Sequence, residues 1–276
     1  MSGNSTAVVL GGGGLAGIGW TIGVLAALED AGALRLAAAH RVFGTSAGAA
    51  TAAAVLQAGS AGNEFDKMVR KTRRNRELAP AVRLADVMPD VLAIHDTADP
   101  IEVKAGRLAR LSRQRSGIDP NRRRDAIARR VATDSWPRTL SITAIRTDGR
   151  RVVFTAESGV GLVDALTASC AVPGLWPVVR INGDDYLDGG TFSLTNAELA
   201  RDFDRVVVLR PTPESPAYGT AQRQAVLDRA VLVEPSARAL AGFGPDPFDP
   251  DVRGVAAVLG FEDGLAAAPT IAARTQ

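Results

Sequence analysis

The order of apolar and polar positions divides the chain into short buried strands, glycine-rich turns and helices that alternate from the start. Residues 7–10 are a brief apolar run that ends in four glycines, Gly11 to Gly14. An apolar helix is predicted over 18–31, with Gly32 as its stop. A second strand is predicted over 41–43, then a tight turn, then a small-residue helix from Ala47 to about Gln57. A strand that enters a glycine loop and emerges as a helix is an α/β opening. Regular order returns with strands at 139–145 and 151–156 around a turn at 147–150, then a helix at 162–171 ended by Pro173 and Gly174. Residues 178–181 and 185–187 flank Asn182-Gly183, a hairpin signal. Residues 206–209 read as a buried strand closed by Pro211, and 221–240 as one long helix kinked or divided by Pro235. A loop over 244–251 leads to a terminal helix beginning at Val252, and no internal repeat is present.

The pattern changes between residues 63 and 134. Lys67, Arg70, Lys71, Arg73, Arg74 and Arg76 crowd one segment, and Arg122, Arg123, Arg124, Arg129 and Arg130 another. Ile101, Leu108 and Leu111 keep helical spacing between them, interrupted by Lys104. This region reads as a helical insertion with basic outer faces, broken by Pro80, Pro89, Pro100 and Pro120, that could cover a site like a lid. Its arginines either solvate helix surfaces or meet anionic lipid headgroups or an acidic partner. Nucleic acid is not expected, because no aromatic residues are interleaved with the charges.

Composition adds few constraints. With 276 residues, 46% hydrophobic and 22% charged, the chain fits one globular domain over 1–276, carrying the insertion at about 63–134 and a helical C-terminal portion at about 219–276. The net charge is only +2. A lone cysteine, Cys170, excludes an intrachain disulfide and fits a reducing, cytoplasmic setting, with peripheral membrane contact left open. Residues 1–6 lack the pattern of a signal peptide, and no unbroken run of 18 apolar residues suggests a span.

Three pieces carry candidate chemistry. Gly44-Thr45-Ser46-Ala47-Gly48 has the G-x-S-x-G form, a strained strand-to-helix bend that lifts a serine hydroxyl clear of its neighbours. Gly12-x-Gly14-x-x-Gly17 satisfies a dinucleotide fingerprint, but no acidic residue ends a second strand about 20 residues on. The same amides could instead line an oxyanion hole, a use that has a partner in the serine downstream. For a base, His40 precedes the strand at the end far from the serine, and His95 lies in the insertion. Asp188 follows Tyr186-Leu187 and precedes Gly189 and Gly190, so it should close a strand, where a carboxylate can take the serine proton directly. No spaced Cys, His or Asp cluster suggests a metal, and no cofactor is expected.

Together these pieces resemble the patatin-like phospholipases, the bacterial patatin-like lipid acyl hydrolases. Gly12-Gly13-Gly14-Leu15-Ala16-Gly17 is similar to that family's oxyanion motif, Gly44 to Gly48 to its nucleophile motif, and Asp188-Gly189-Gly190 to its D-G-G. Residues 168–174 and Asn196 resemble further family segments, so the likeness spans roughly 7–210. Ala16 stands where the family often has Arg or Lys, and Ala197 where many members have proline. The resemblance implies a three-layer α/β/α hydrolase with a mostly parallel central sheet. It implies Ser46 as nucleophile, Asp188 as base of a Ser-Asp dyad, and Gly12, Gly13 and Gly14 as the oxyanion hole. Gly44, Gly48, Gly189 and Gly190 would support the turns. The expected substrate is a lipid or fatty-acyl ester, cleaved through an acyl-serine. Acyl transfer or thioester cleavage by the same dyad, and a non-hydrolytic dinucleotide-binding module, are the alternatives.

Overall fold

The computed structural model describes residues 5–70, 77–214 and 220–275. Lys71, Arg73, Arg74 and Arg76 of the insertion fall outside them. The first half contains β1 (Thr6–Leu10), α1 (Gly14–Asp30), β2 (Arg41–Thr45), α2 (Ala47–Ala58), α3 (Ala61–Val69), α4 (Leu84–His95), α5 (Ile101–Arg115) and α6 (Pro120–Ala128). The second contains β3 (Leu140–Arg146), β4 (Arg151–Phe154), α7 (Leu162–Ser169), β5 (Val179–Ile181), β6 (Asp184–Asp188), β7 (Arg205–Leu209), α8 (Ala221–Arg229), β8 (Val231–Val233), α9 (Ala237–Gly242) and α10 (Val252–Thr275).

The strands form one mixed sheet in which β3, β2, β1, β7 and β8 run parallel. β4, β5 and β6 add antiparallel pairs at one side. Apolar runs suit strands covered on both faces. Val8 and Leu10 of β1 join the core beneath α1 and α2, while Ala7 and Val9 point the other way, toward Ala197, Ala200 and Val226 of α8. The insertion packs its own small core, Val87, Val91, Leu108 and Leu111, against Ile145 and Leu187 of the sheet.

α1 lies between the sheet and α10, and every residue from Leu15 to Leu28 is buried. The two helices touch along a glycine seam. A Cβ on Gly23 would stand 2.0 Å from the Ala257 carbonyl oxygen, and one on Gly260 2.2 Å from that of Trp20. Only glycine permits such an approach.

Several sequence expectations need correction. α1 begins at Gly14, at the end of the glycine run and ahead of the expected start at Ile18. The long helix expected over 221–240 is divided by β8, because Val231-Leu232-Val233, an apolar run with two β-branched valines, adds a parallel edge to β7. Pro89 lies inside α4 and does not break it, whereas Pro100 and Pro120 sit where α5 and α6 begin. α10 over Val252–Arg274 is long and apolar enough to cross a membrane by length and composition. Charges such as Glu262 and Asp263 hide this from a test for unbroken apolar runs. In this fold it packs on α1, burying Ala256, Ala257, Ala268 and Ile271.

Candidate active site

Strand register brings the two candidate side chains together. On β3, Thr143 pairs with Thr45 of β2, and the next residue, Ala144, pairs with Asp188 of β6. Both also pair with β4, through Val153 and Val152. β4 therefore takes one flank of β3, and β2 and β6 lie end to end along the other. Where β2 stops at Thr45, the end of β6 meets it head-on. Ser46 is the next residue.

Ser46 turns the chain sharply, with φ 53° and ψ −119°, a strained geometry for a non-glycine residue. Close packing holds it there. A Cβ on Gly48 would lie 2.0 Å from the Leu10 carbonyl oxygen, and one on Gly44 2.5 Å from Ala49 Cα. The Ser46 amide donates to Ser169 Oγ at 2.9 Å. Its hydroxyl donates to Asp188 Oδ2 at 2.7 Å. The other carboxylate oxygen accepts from the Gly190 amide at 2.6 Å, and Gly189 lies against Thr143, where a Cβ would come within 2.4 Å of its carbonyl oxygen.

Asp188 is only 3% exposed. Burial pushes its carboxyl up to about 7, against the opposing pull of the Ser46 and Gly190 hydrogen bonds and the Arg123 charge. An ordinary aspartate would be a weak base; this one is matched to neutral pH. Neither histidine takes that position. His40 accepts from the Thr6 amide at 3.0 Å, at the start of β1, and His95 ends α4 with its ring edge-on to Phe192.

The glycine loop passes directly beside the serine turn, since a Cβ on Gly12 would lie 3.4 Å from Ser46 Cβ. The Gly12 amide, however, donates to the Leu194 carbonyl at 2.9 Å. It cannot at the same time receive an oxyanion, which corrects its expected role. Among the described residues, the amides of Gly13 and Gly14 have no such acceptor. Leu15 and Ala16 both donate to the Pro247 carbonyl, at 2.7 and 3.0 Å. A pyrophosphate would need those same helix-start amides, so the dinucleotide alternative loses its binding groups.

Beneath the turn sits a network centred on Asn196, itself at φ 50°. Its Nδ2 reaches Thr45 Oγ1 at 3.1 Å, Thr143 Oγ1 at 3.4 Å, the Gly189 carbonyl at 3.1 Å and the Ser193 carbonyl at 2.8 Å. Thr45 and Thr143 share a further bond of 2.8 Å. One side chain thus ties together the end of β2, the middle of β3 and the segment after Asp188.

A shallow cleft opens on Ser46, with Leu15, Ile18, Val172 and Phe248 among its apolar walls. Arg123, Arg130 and Trp176 also line it. The basic segment suggests either solvated helix surface or contact with an outside anion or acidic partner, and both put Arg123 at the surface; it is 3% exposed, and Arg130 pairs with Glu77 at 2.7 Å. The overlooked signal was helical spacing: Ala126 and Ile127, three and four residues on, are buried on the same face. Among the described residues, no group of three or more His, Cys, Asp or Glu side chains could hold a metal.

A family model described as patatin-like phospholipase matches residues 8–201. No curated protein matches significantly. Among solved structures, VipD from Legionella pneumophila aligns with a TM-score of 0.45 at 14% identity, covering 97% of this chain and 67% of that one. ExoU in its complex with SpcU from Pseudomonas aeruginosa aligns with a TM-score of 0.45 at 19% identity, covering 98% of this chain and 52% of that one. The chain thus spans about two thirds of the first and half of the second.

Proposed function

Since the chain belongs to the patatin-like phospholipase family, we propose that it cleaves carboxylic ester bonds of lipids, with Ser46 as nucleophile and Asp188 as its only base. The observation that carries this reading is the 2.7 Å bond from Ser46 Oγ to a buried carboxylate held near neutral pKa. As Oγ attacks the acyl carbonyl, its proton passes to Asp188. The oxygen of the tetrahedral intermediate is received by the Gly13 and Gly14 amides, beside the N-terminus of α2. Asp188 returns the proton to the departing alcohol, leaving an acyl ester on Ser46. Water then gives a proton to Asp188 as it attacks, and the fatty acid leaves with Ser46 restored. Leu15, Ile18, Val172 and Phe248 give the acyl chain an apolar wall.

A fluorophosphonate probe should label Ser46 and no other residue, as mapped by mass spectrometry. Ser46→Ala should lose both labelling and turnover of p-nitrophenyl esters and lysophospholipids, by about 10⁴-fold or more. Retained turnover in pure protein would overturn the assignment. Assaying acyl-CoA alongside these esters separates hydrolysis of oxygen esters from thioesterase or transfer activity.

A further inference from the structure

Among the described residues, four hydrogen-bond donors near the nucleophile have no acceptor. Arg123 Nε and Nη1, Arg130 Nε and Trp176 Nε1 are all buried and unpartnered among the described residues, and all three residues line the cleft onto which Ser46 opens. The Arg123 guanidinium stacks 3.6 Å from the centre of the Trp176 ring, and its remaining contact is a long bond of 3.4 Å to the Cys170 carbonyl. A buried guanidinium left this incomplete is costly to the fold.

The charge balance points the same way. Arg130 and Arg253 share the single carboxylate of Glu77, at 2.7 and 2.8 Å. Among the described residues no carboxylate pairs directly with Arg123, and Glu77 already serves two other arginines. Burial lowers the Arg123 guanidinium to about 9, which leaves it charged at neutral pH. A cavity lined by unpartnered donors and two guanidinium groups fits an anion with several acceptor oxygens.

Resting on the reading of Ser46 as the ester-cleaving nucleophile, we propose that Arg123, stacked on Trp176, recognises an anionic oxygen group, a phosphate or phosphodiester, carried by the substrate next to its scissile ester. Arg123 is then a specificity residue delivered by the insertion.

The test uses two esters with the same acyl chain, 1-acylglycerol 3-phosphate and 1-monoacylglycerol, which differ only in the phosphate. Arg123→Gln should lower the ratio of their kcat/KM values, anionic over neutral, by about 10-fold or more. The ratio cancels any effect of Arg123 on Asp188, because both esters use the same base. Arg123→Lys, which keeps charge but loses the fork, should fall between. An unchanged ratio in Arg123→Gln overturns the proposal.

A second measurement does not depend on turnover. Inorganic phosphate or glycerol 3-phosphate should raise the melting temperature of the wild-type chain but not of Arg123→Gln. A shift with glycerol 3-phosphate alone assigns the anion to the lipid headgroup, and equal shifts assign it to phosphate itself. No shift with either, or the same shift in the variant, overturns the proposal. A wild-type chain that is stabilised by these anions yet cleaves neither ester would instead overturn the hydrolase reading and leave the anion site standing.

Discussion

Two polar clusters flank the nucleophile and follow opposite rules. In the one beneath it, the Asn196 amide group, the Thr45 and Thr143 hydroxyls and the neighbouring carbonyls are all joined by hydrogen bonds. In the one beside it, N–H groups of Arg123, Arg130 and Trp176 face no acceptor among the described residues. A saturated network in a low-dielectric interior fixes geometry. An unsaturated one costs stability and is worth keeping only where something from outside completes it. Degree of satisfaction, more than polarity, separates the scaffold of this site from its receiving surface.

Asp188 gives the strongest test, because it touches both sides: it is bonded within the scaffold and also feels the Arg123 charge. Asp188→Asn should cut kcat/KM by about 10³-fold or more. Its effect on stability should have the opposite sign. The folded carboxyl sits near 7 and an unfolded one near about 4, so the folded state holds its proton more tightly across that interval. Wild-type stability should therefore fall as pH rises from about 4 to about 7, then level off. The asparagine variant should lose that slope and melt higher than wild type at pH 8. A lower melting temperature there would place Asp188 wholly with the scaffold. The same proton governs rate: kcat/KM should climb through about pH 7 to a plateau, since only the ionised form can accept from Ser46. A flat profile between pH 5 and 9 would assign the base elsewhere.

Smaller effects separate the two clusters directly. Asn196→Ala strips several partners at once and should destabilise the chain by about 1–3 kcal/mol, seen as a drop of several degrees in thermal melting. Arg123→Met removes a buried cation with few contacts and should leave the melting temperature unchanged or slightly raised. If both variants melt equally low, the two clusters do not differ in kind.

What the sequence disclosed follows the same division. β1, the glycine run, the bend at Ser46 and the strand ending at Asp188 were legible because each is written in neighbouring residues, with glycine and β-branched side chains marking the backbone. The end-to-end meeting of β2 and β6 depends on their register along β3, and no local pattern records that. Arg123 stayed hidden among Arg122 and Arg124, which share its charge but not its burial. The occupied Gly12 amide was invisible too, because its partner, Leu194, lies far along the chain. The edge strand β8 was lost inside an apparent helix, its three residues too few to outweigh the pattern around them.

The Pro247 carbonyl, which accepts from the first amides of α1, lies well beyond residue 201, where the family match stops. So do Phe248 on the cleft wall and the glycines of α10 that lock onto α1. A protein engineer who trimmed this chain to its recognisable portion would keep Ser46 and Asp188 but remove the clamp on the helix start that follows the glycine loop beside Ser46. Such a minimal catalyst would inherit the reagents without the jig.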